Sequence, residues 1–153
     1  MASRPPRIGR HTNCCDCPAN ARCPAPFAAI AEAVTEITPQ TYFVAHSLGC
    51  ISLLQYLAEQ PSTHAGGALL VSGFAETPQD FPFLAEFTAP PLDYAALKQI
   101  LAHRTVLSAK DDPFVPHAVS KALADALAAD FYLLPTGGHF IDQTGTPPLP
   151  AAY

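Results

Sequence analysis

From Phe27 onward the hydrophobic positions fall into short runs whose period switches between helical and extended. Phe27, Ile30, Ala31, Val34 and Ile37 recur at helical spacing, and Thr38-Pro39 ends the run. Residues 41–45 are a β-prone run suited to a buried strand, followed by a tight turn from His46 to Gly49. Ile51, Leu54, Tyr56, Leu57 and Ala58 predict a helix that Pro61 closes. Residues 68–72 predict a second buried strand. Residues 73–93 read as a long connection carrying Phe74, Phe81, Phe83 and Phe87 among prolines. A helix over 94–102, a strand over 105–109, a helix over 118–128 and a strand over 131–134 follow, then a turn through Gly137 and Gly138 to His139. Strands alternating with helices imply a parallel sheet, and their unbroken apolar character implies burial on both faces. The long 73–93 loop is of the kind that carries function in a compact domain.

Composition changes this picture at one boundary. The 153 residues suit one domain, with 49% hydrophobic and 14% charged residues against about 25% charged in typical globular chains. A net charge of −5 argues against nucleic acid or an anionic membrane as the main partner. No run approaches the ~18 apolar residues of a membrane span, and no early apolar run resembles a signal-peptide core. A cytoplasmic location is the expectation. Before Phe27 no hydrophobic period can be drawn. Arg4, Arg7, Arg10 and Arg22 are there half of the chain's eight basic residues, with Asp16 the only acid. That charge resembles a transit peptide, but Pro5, Pro6, Pro18, Pro24 and Pro26 oppose its amphipathic helix.

Cys14, Cys15, Cys17 and Cys23 lie close together with His11 upstream. Thiolate and imidazole suit zinc, but Cys50 is the one other cysteine, so the usual second ligand pair is missing. The expectation is an irregular, disordered leader over residues 1–26, a core over 27–146 and a Pro-rich tail over 147–153. No metal or cofactor is expected.

Candidate chemistry sits at three strand ends. Ala45, His46, Ser47, Leu48 and Gly49 match a relaxed G-x-S-x-G elbow between a strand and a helix, with Ala45 replacing the first glycine. Such a turn projects the serine hydroxyl above the strand ends, where small flanking residues avoid a clash. The Leu48 N–H, at a helix N-terminus, can face a developing oxyanion. A serine nucleophile needs a base, and the base an orienting carboxylate. In the hydrolase order Ser, acid, His, the acid follows the third strand at Asp111 or Asp112, and His139 follows the fourth. Open parallel sheets place their sites at these carboxyl ends. Plainer roles compete: Ser47 as a helix N-cap, Asp112-Pro113 as a turn, His139 as a loop histidine. The order and topology of the three together favour a triad of Ser47, one of Asp111 and Asp112, and His139. His46 is expected to pack or hydrogen-bond near the elbow, and Cys50 to be a small packed residue.

From about Thr41 to Phe140 the chain resembles the small serine hydrolases related to retinoblastoma-binding protein 9. The resemblance rests on residues 44–49, 70–72 and 108–116 and on Gly138-His139-Phe140, above all the Asp111-Asp112-Pro113-Phe114-x-Pro116 stretch. It implies a three-layer parallel-sheet α/β-hydrolase core with little lid and a Ser-Asp-His triad. Asp112 is the better acid, since Asp112-x-x-Val115-Pro116 is a common pattern after the acid in these enzymes. The implied activity is that of an esterase or amidase on small acyl substrates. Phe74, Phe81 and Phe83 are the candidate substrate pocket. Against that family the first two strands and the glycine-containing loop that supplies a second oxyanion donor are not found ahead of Ser47, and no closing helix follows the fourth strand. The break at Phe27 is consistent with a misread frame, a wrong start or a gene remnant. The nucleophile strand is then expected at an exposed edge. The competing function is an impaired hydrolase fold that binds protein, though no Leu-x-Cys-x-Glu motif is present.

Overall fold

The computed structural model describes residues 26–77, 80–89 and 91–141. The expected leader and tail, with His11 and the cysteine cluster at 14–23, lie outside these residues. Among the described residues five helices and four strands follow in the order α1 (Pro26–Ala33), β1 (Tyr42–His46), α2 (Leu48–Ala58), β2 (Ala65–Val71), α3 (Ala85–Thr88), α4 (Tyr94–Ile100), β3 (Leu101–Ala109), α5 (His117–Leu127) and β4 (Asp130–Leu134). A 3-10 turn over Pro82–Leu84 precedes α3.

All neighbouring strands pair in parallel, in the order β1-β2-β3-β4. Crossovers between parallel strands are almost always right-handed. When each strand joins on the same side of the last, that rule sends every connecting helix to one face. Here α2, α4 and α5 do share a face. Their Leu53, Leu54, Leu57, Leu97, Ile100, Leu123 and Leu127 form one core with Ala68, Leu70 and Val106 of the sheet. Each such leucine contributes roughly 1.5–3 kcal/mol through burial. The α1 helix packs on α2, with Ile30 reaching the same core.

The other sheet face carries Leu69, Val71, Leu107, Ala109 and Leu134, with Phe140 packed on it. On this face Val44 pairs with Leu69 and Leu107 with Tyr132, and Val44 and Tyr132 remain well exposed. The described elements thus supply two of the three layers expected. Among the described residues β1 is an edge strand, as anticipated.

Three element boundaries differ from the hydrophobic pattern. The first helix ends at Ala33 although the period continues to Ile37. Thr38 and Thr41 form a local turn instead, the Thr38 N–H donating to Thr41 Oγ1 at 3.0 Å. The β2 strand begins at Ala65, three residues earlier than its apolar run. Gly66 and Gly67 extend it because β3 approaches closely: a Cβ on Gly67 would lie 2.6 Å from the His103 carbonyl oxygen. The β3 strand begins at Leu101, directly after α4, where the backbone turns extended at φ −97° and ψ 112°. No described helix is long and apolar enough to cross a membrane.

Candidate active site

The carboxyl ends of the four strands form a row. Ser47 follows β1, Ser72 follows β2, Asp111 and Asp112 follow β3, and His139 follows β4. Backbone bonds extend the ladder past the strands to fix three of these ends: Ser47 N to Val71 O (2.8 Å), Ser72 N to Leu107 O (2.8 Å) and Lys110 N to Leu134 O (2.9 Å).

Ser47 takes φ 53°, ψ −125° and makes no side-chain capping bond to α2. The N-cap role is therefore not the one its side chain plays. Its Oγ lies 2.9 Å from His139 Nε2. The opposite ring nitrogen, Nδ1, lies 2.9 Å and 3.0 Å from the two Asp112 carboxylate oxygens. A carboxylate can only accept, so Nδ1 carries the proton and Nε2 presents its lone pair to the Ser47 hydroxyl. The Asp112 side chain is 0% exposed and that of His139 9%.

Four donors converge on Asp112. Oδ1 accepts from the Phe114 and Val115 N–H groups, both at 2.9 Å, and Oδ2 from the Ser72 hydroxyl at 2.7 Å. His139 Nδ1–H completes the set. Burial acts to raise the carboxyl's pKa. The hydrogen bonds from His139, Val115, Ser72 and Phe114 together outweigh it and hold the pKa below the ordinary carboxylate value. Asp111 plays a different part. Its Oδ1 accepts from the Gly138 N–H at 2.9 Å, pinning the turn that carries His139. Gly138 itself needs a left-handed φ of 53°.

His46 binds the same turn from the other side. Its Nε2 lies 2.7 Å from the His139 carbonyl oxygen, which can only accept, so Nε2 is protonated. The two imidazole rings stand 4.7 Å apart. Burial lowers the His46 pKa most, and the neighbouring His139 lowers it too, against the raising effect of the carbonyl and of Asp112. Cys50 is fully buried, burial pushes its thiol pKa up, and its sulfur donates to Val71 O at 3.6 Å. It packs against the elbow and offers no nucleophile. The elbow's steric logic holds only in part, since a Cβ on Gly49 would meet nothing within 4 Å.

A cavity of about 280 Å³ opens at Ser47 and His139. Phe74, Phe81 and Phe83 lie on its wall, as does Phe114, which the sequence pattern did not single out. Phe114 stands edge-on to His139 with centroids 5.1 Å apart, and the Phe81 ring bridges Phe114 and Phe83 at 6.0 and 5.8 Å. Phe87, expected in the same loop, is not among the cavity-lining residues, and its backbone carbonyl accepts from Gln55. Among the described residues no lysine, arginine or carboxylate lines the opening. Among the described residues no three His, Cys, Asp or Glu side chains converge as a metal site. The Leu48 N–H opens α2 next to Ser47, and the first N–H groups of a helix have no intrahelical acceptor.

Three of the four described non-glycine residues with left-handed φ, namely Ser47, Ser72 and Phe140, border this site. Such backbone strain clusters where function over-determines geometry.

A parallel sheet with a serine elbow at one strand end is the architecture of a hydrolase, and the chain belongs to the serine hydrolase family, whose model matches residues 19–153. It is 41% identical over 114 residues to a Bacillus subtilis protein named "Putative hydrolase YdeN". The match covers 74% of this chain and 60% of that protein, so the chain spans less than two-thirds of that relative's length in this match. The crystal structure of the ydeN gene product from B. subtilis superposes with a TM-score of 0.77 at 36% identity, covering 83% of this chain and 69% of the other.

Proposed function

We propose that the chain hydrolyses small, uncharged esters or amides through Ser47, His139 and Asp112. The observation that carries this reading is the unbroken set of contacts from Ser47 Oγ through both nitrogens of His139 to the buried Asp112 carboxylate. Ser47 Oγ attacks the substrate carbonyl while His139 Nε2 takes its proton. Asp112 keeps the imidazole in the required tautomer and stabilises the imidazolium. The Leu48 N–H faces the oxyanion of the tetrahedral intermediate. His139 then protonates the leaving alcohol or amine, leaving an acyl-enzyme on Ser47. Water, activated by the same imidazole, releases the acid.

The aromatic wall supports an apolar acyl group, since a charged one would lose its hydration there without a partner. The Asp111-Asp112-Pro113-Phe114-Val115-Pro116 stretch and Gly138-His139-Phe140 support a place near the hydrolases related to retinoblastoma-binding protein 9. The partner is thus a small molecule, with no nucleic acid, membrane or cofactor required.

The test is labelling by a fluorophosphonate probe. Folded wild-type protein takes up the probe and folded Ser47→Ala does not. Absence of labelling on folded wild type overturns the proposal.

A further inference from the structure

We propose that Ser72 is a positioning residue whose hydroxyl fixes the Asp112 carboxylate in the orientation that His139 requires, an inference that rests on the hydrolase reading above. Ser72 is fully buried and follows the last residue of β2. Its N–H continues the ladder to Leu107 O at 2.8 Å, so the backbone is held at a defined place. Its φ of 47° lies in the left-handed region, which serine enters only at a cost. Glycine would occupy that backbone freely. What glycine lacks is the hydroxyl, and here the hydroxyl donates to Asp112 Oδ2 at 2.7 Å.

The two carboxylate oxygens are held differently. Oδ1 is anchored by two amides of its own loop, Phe114 N–H and Val115 N–H. Among the described residues Oδ2 has only Ser72 besides His139. Ser72 therefore links β2 to the acid of β3 and stops the carboxylate from turning about its Cβ–Cγ bond. The other charged or titratable groups facing His139 are His46 on β1, through the His139 carbonyl and the 4.7 Å ring contact, and Asp111, through Gly138 N–H. Among the described residues neither hydrogen-bonds to Ser72, whose hydroxyl reaches His139 through Asp112.

The experiment compares Ser72→Gly and Ser72→Ala with wild type. Probe-labelling rates and hydrolysis of p-nitrophenyl butyrate are followed from about pH 5 to 9, beside thermal melts. Both variants lose about tenfold or more in labelling rate and kcat, as expected for a lost hydrogen bond to a charged group. KM stays within about twofold, because Ser72 does not line the cavity. Ser72→Gly melts no lower than Ser72→Ala, separating the kinetic loss from backbone strain. Wild-type kcat and labelling rate in folded Ser72→Gly, while wild type labels normally, overturn this inference alone. Rate losses that track only the unfolded fraction overturn it as well. Folded wild type that does not label overturns the hydrolase reading and this inference with it.

Discussion

Replacing Asp112 by asparagine changes the site by one heavy atom and reverses its hydrogen-bond logic. The amide oxygen can still accept from Phe114 and Val115 N–H. The amide NH2 then occupies the Oδ2 position, opposite Ser72 Oγ and His139 Nδ1. The serine hydroxyl can rotate to accept. The imidazole has only one remedy, which is to move its proton to Nε2. That proton then faces Ser47 Oγ, 2.9 Å away, and the serine has no base. The imidazolium formed during catalysis also loses its counter-charge. At the observed 2.9 Å and an effective dielectric of about 20, one ion pair is worth roughly 5–6 kcal/mol. That corresponds to about four decades of rate. The expected loss in kcat/KM is thus about 10³–10⁴-fold, measured with p-nitrophenyl butyrate and with the rate of probe labelling. Melting curves establish that the variant is folded. A folded Asp112→Asn protein within about tenfold of wild type would refute the assignment of Asp112 as the orienting acid.

Two further outcomes follow from the cavity wall and from burial. Phe83 is 70% exposed while Phe74 is 1% exposed. Phe83→Ala should raise KM for apolar acyl esters several-fold with stability changed by about 0.5 kcal/mol or less, whereas Phe74→Ala should cost about 3–5 kcal/mol in a denaturant titration. His46 is held neutral below its ordinary value of 6.5, chiefly by burial. The unfolded chain therefore takes up a proton there before the folded one does, so this contribution is complete above about pH 6.5 and falls away with falling pH. Melting temperatures across that range should drop in wild type and drop less in His46→Gln; equal slopes would remove His46 as the cause.

The strand interiors were legible because their apolar runs are unbroken, although the expected burial on both faces fails at β1 and β4, where Tyr42, Val44 and Tyr132 stay exposed among the described residues. The reactive groups were legible because each stands directly after such a run. Boundaries were not, where tertiary contact overrode local preference. Ala65-Gly66-Gly67 has poor β-propensity, yet it pairs with β3 because only glycine admits the His103 backbone so closely. Leu101 suits a helix as well as a strand, and no turn residue marks where α4 gives way to β3. At the site, Asp111 and Asp112 were adjacent carboxylates with no local feature to divide their contacts. The fold divides them, sending one to His139 and the other to Gly138 N–H. Ser72 and Phe114 lay in stretches that carried the resemblance, but nothing local assigned either a role. Their importance comes from a β-sheet register and a loop path that bring distant segments together.

Position in the sheet sets how firmly each part of the site is held. Asp112 follows β3, paired on both sides, while Ser47 follows β1, paired among the described residues with β2 alone. The serine's own amide bond to Val71 is the last rung of that single ladder. Strands secured on one side open at lower free energy than those inside a sheet. Fraying of β1 displaces Ser47 while the leucine core beneath α2, α4 and α5 stays intact. In mild denaturant, probe labelling should therefore vanish before the helical circular dichroism signal declines. The amides of Tyr42 to His46 should exchange with solvent ahead of those in β3.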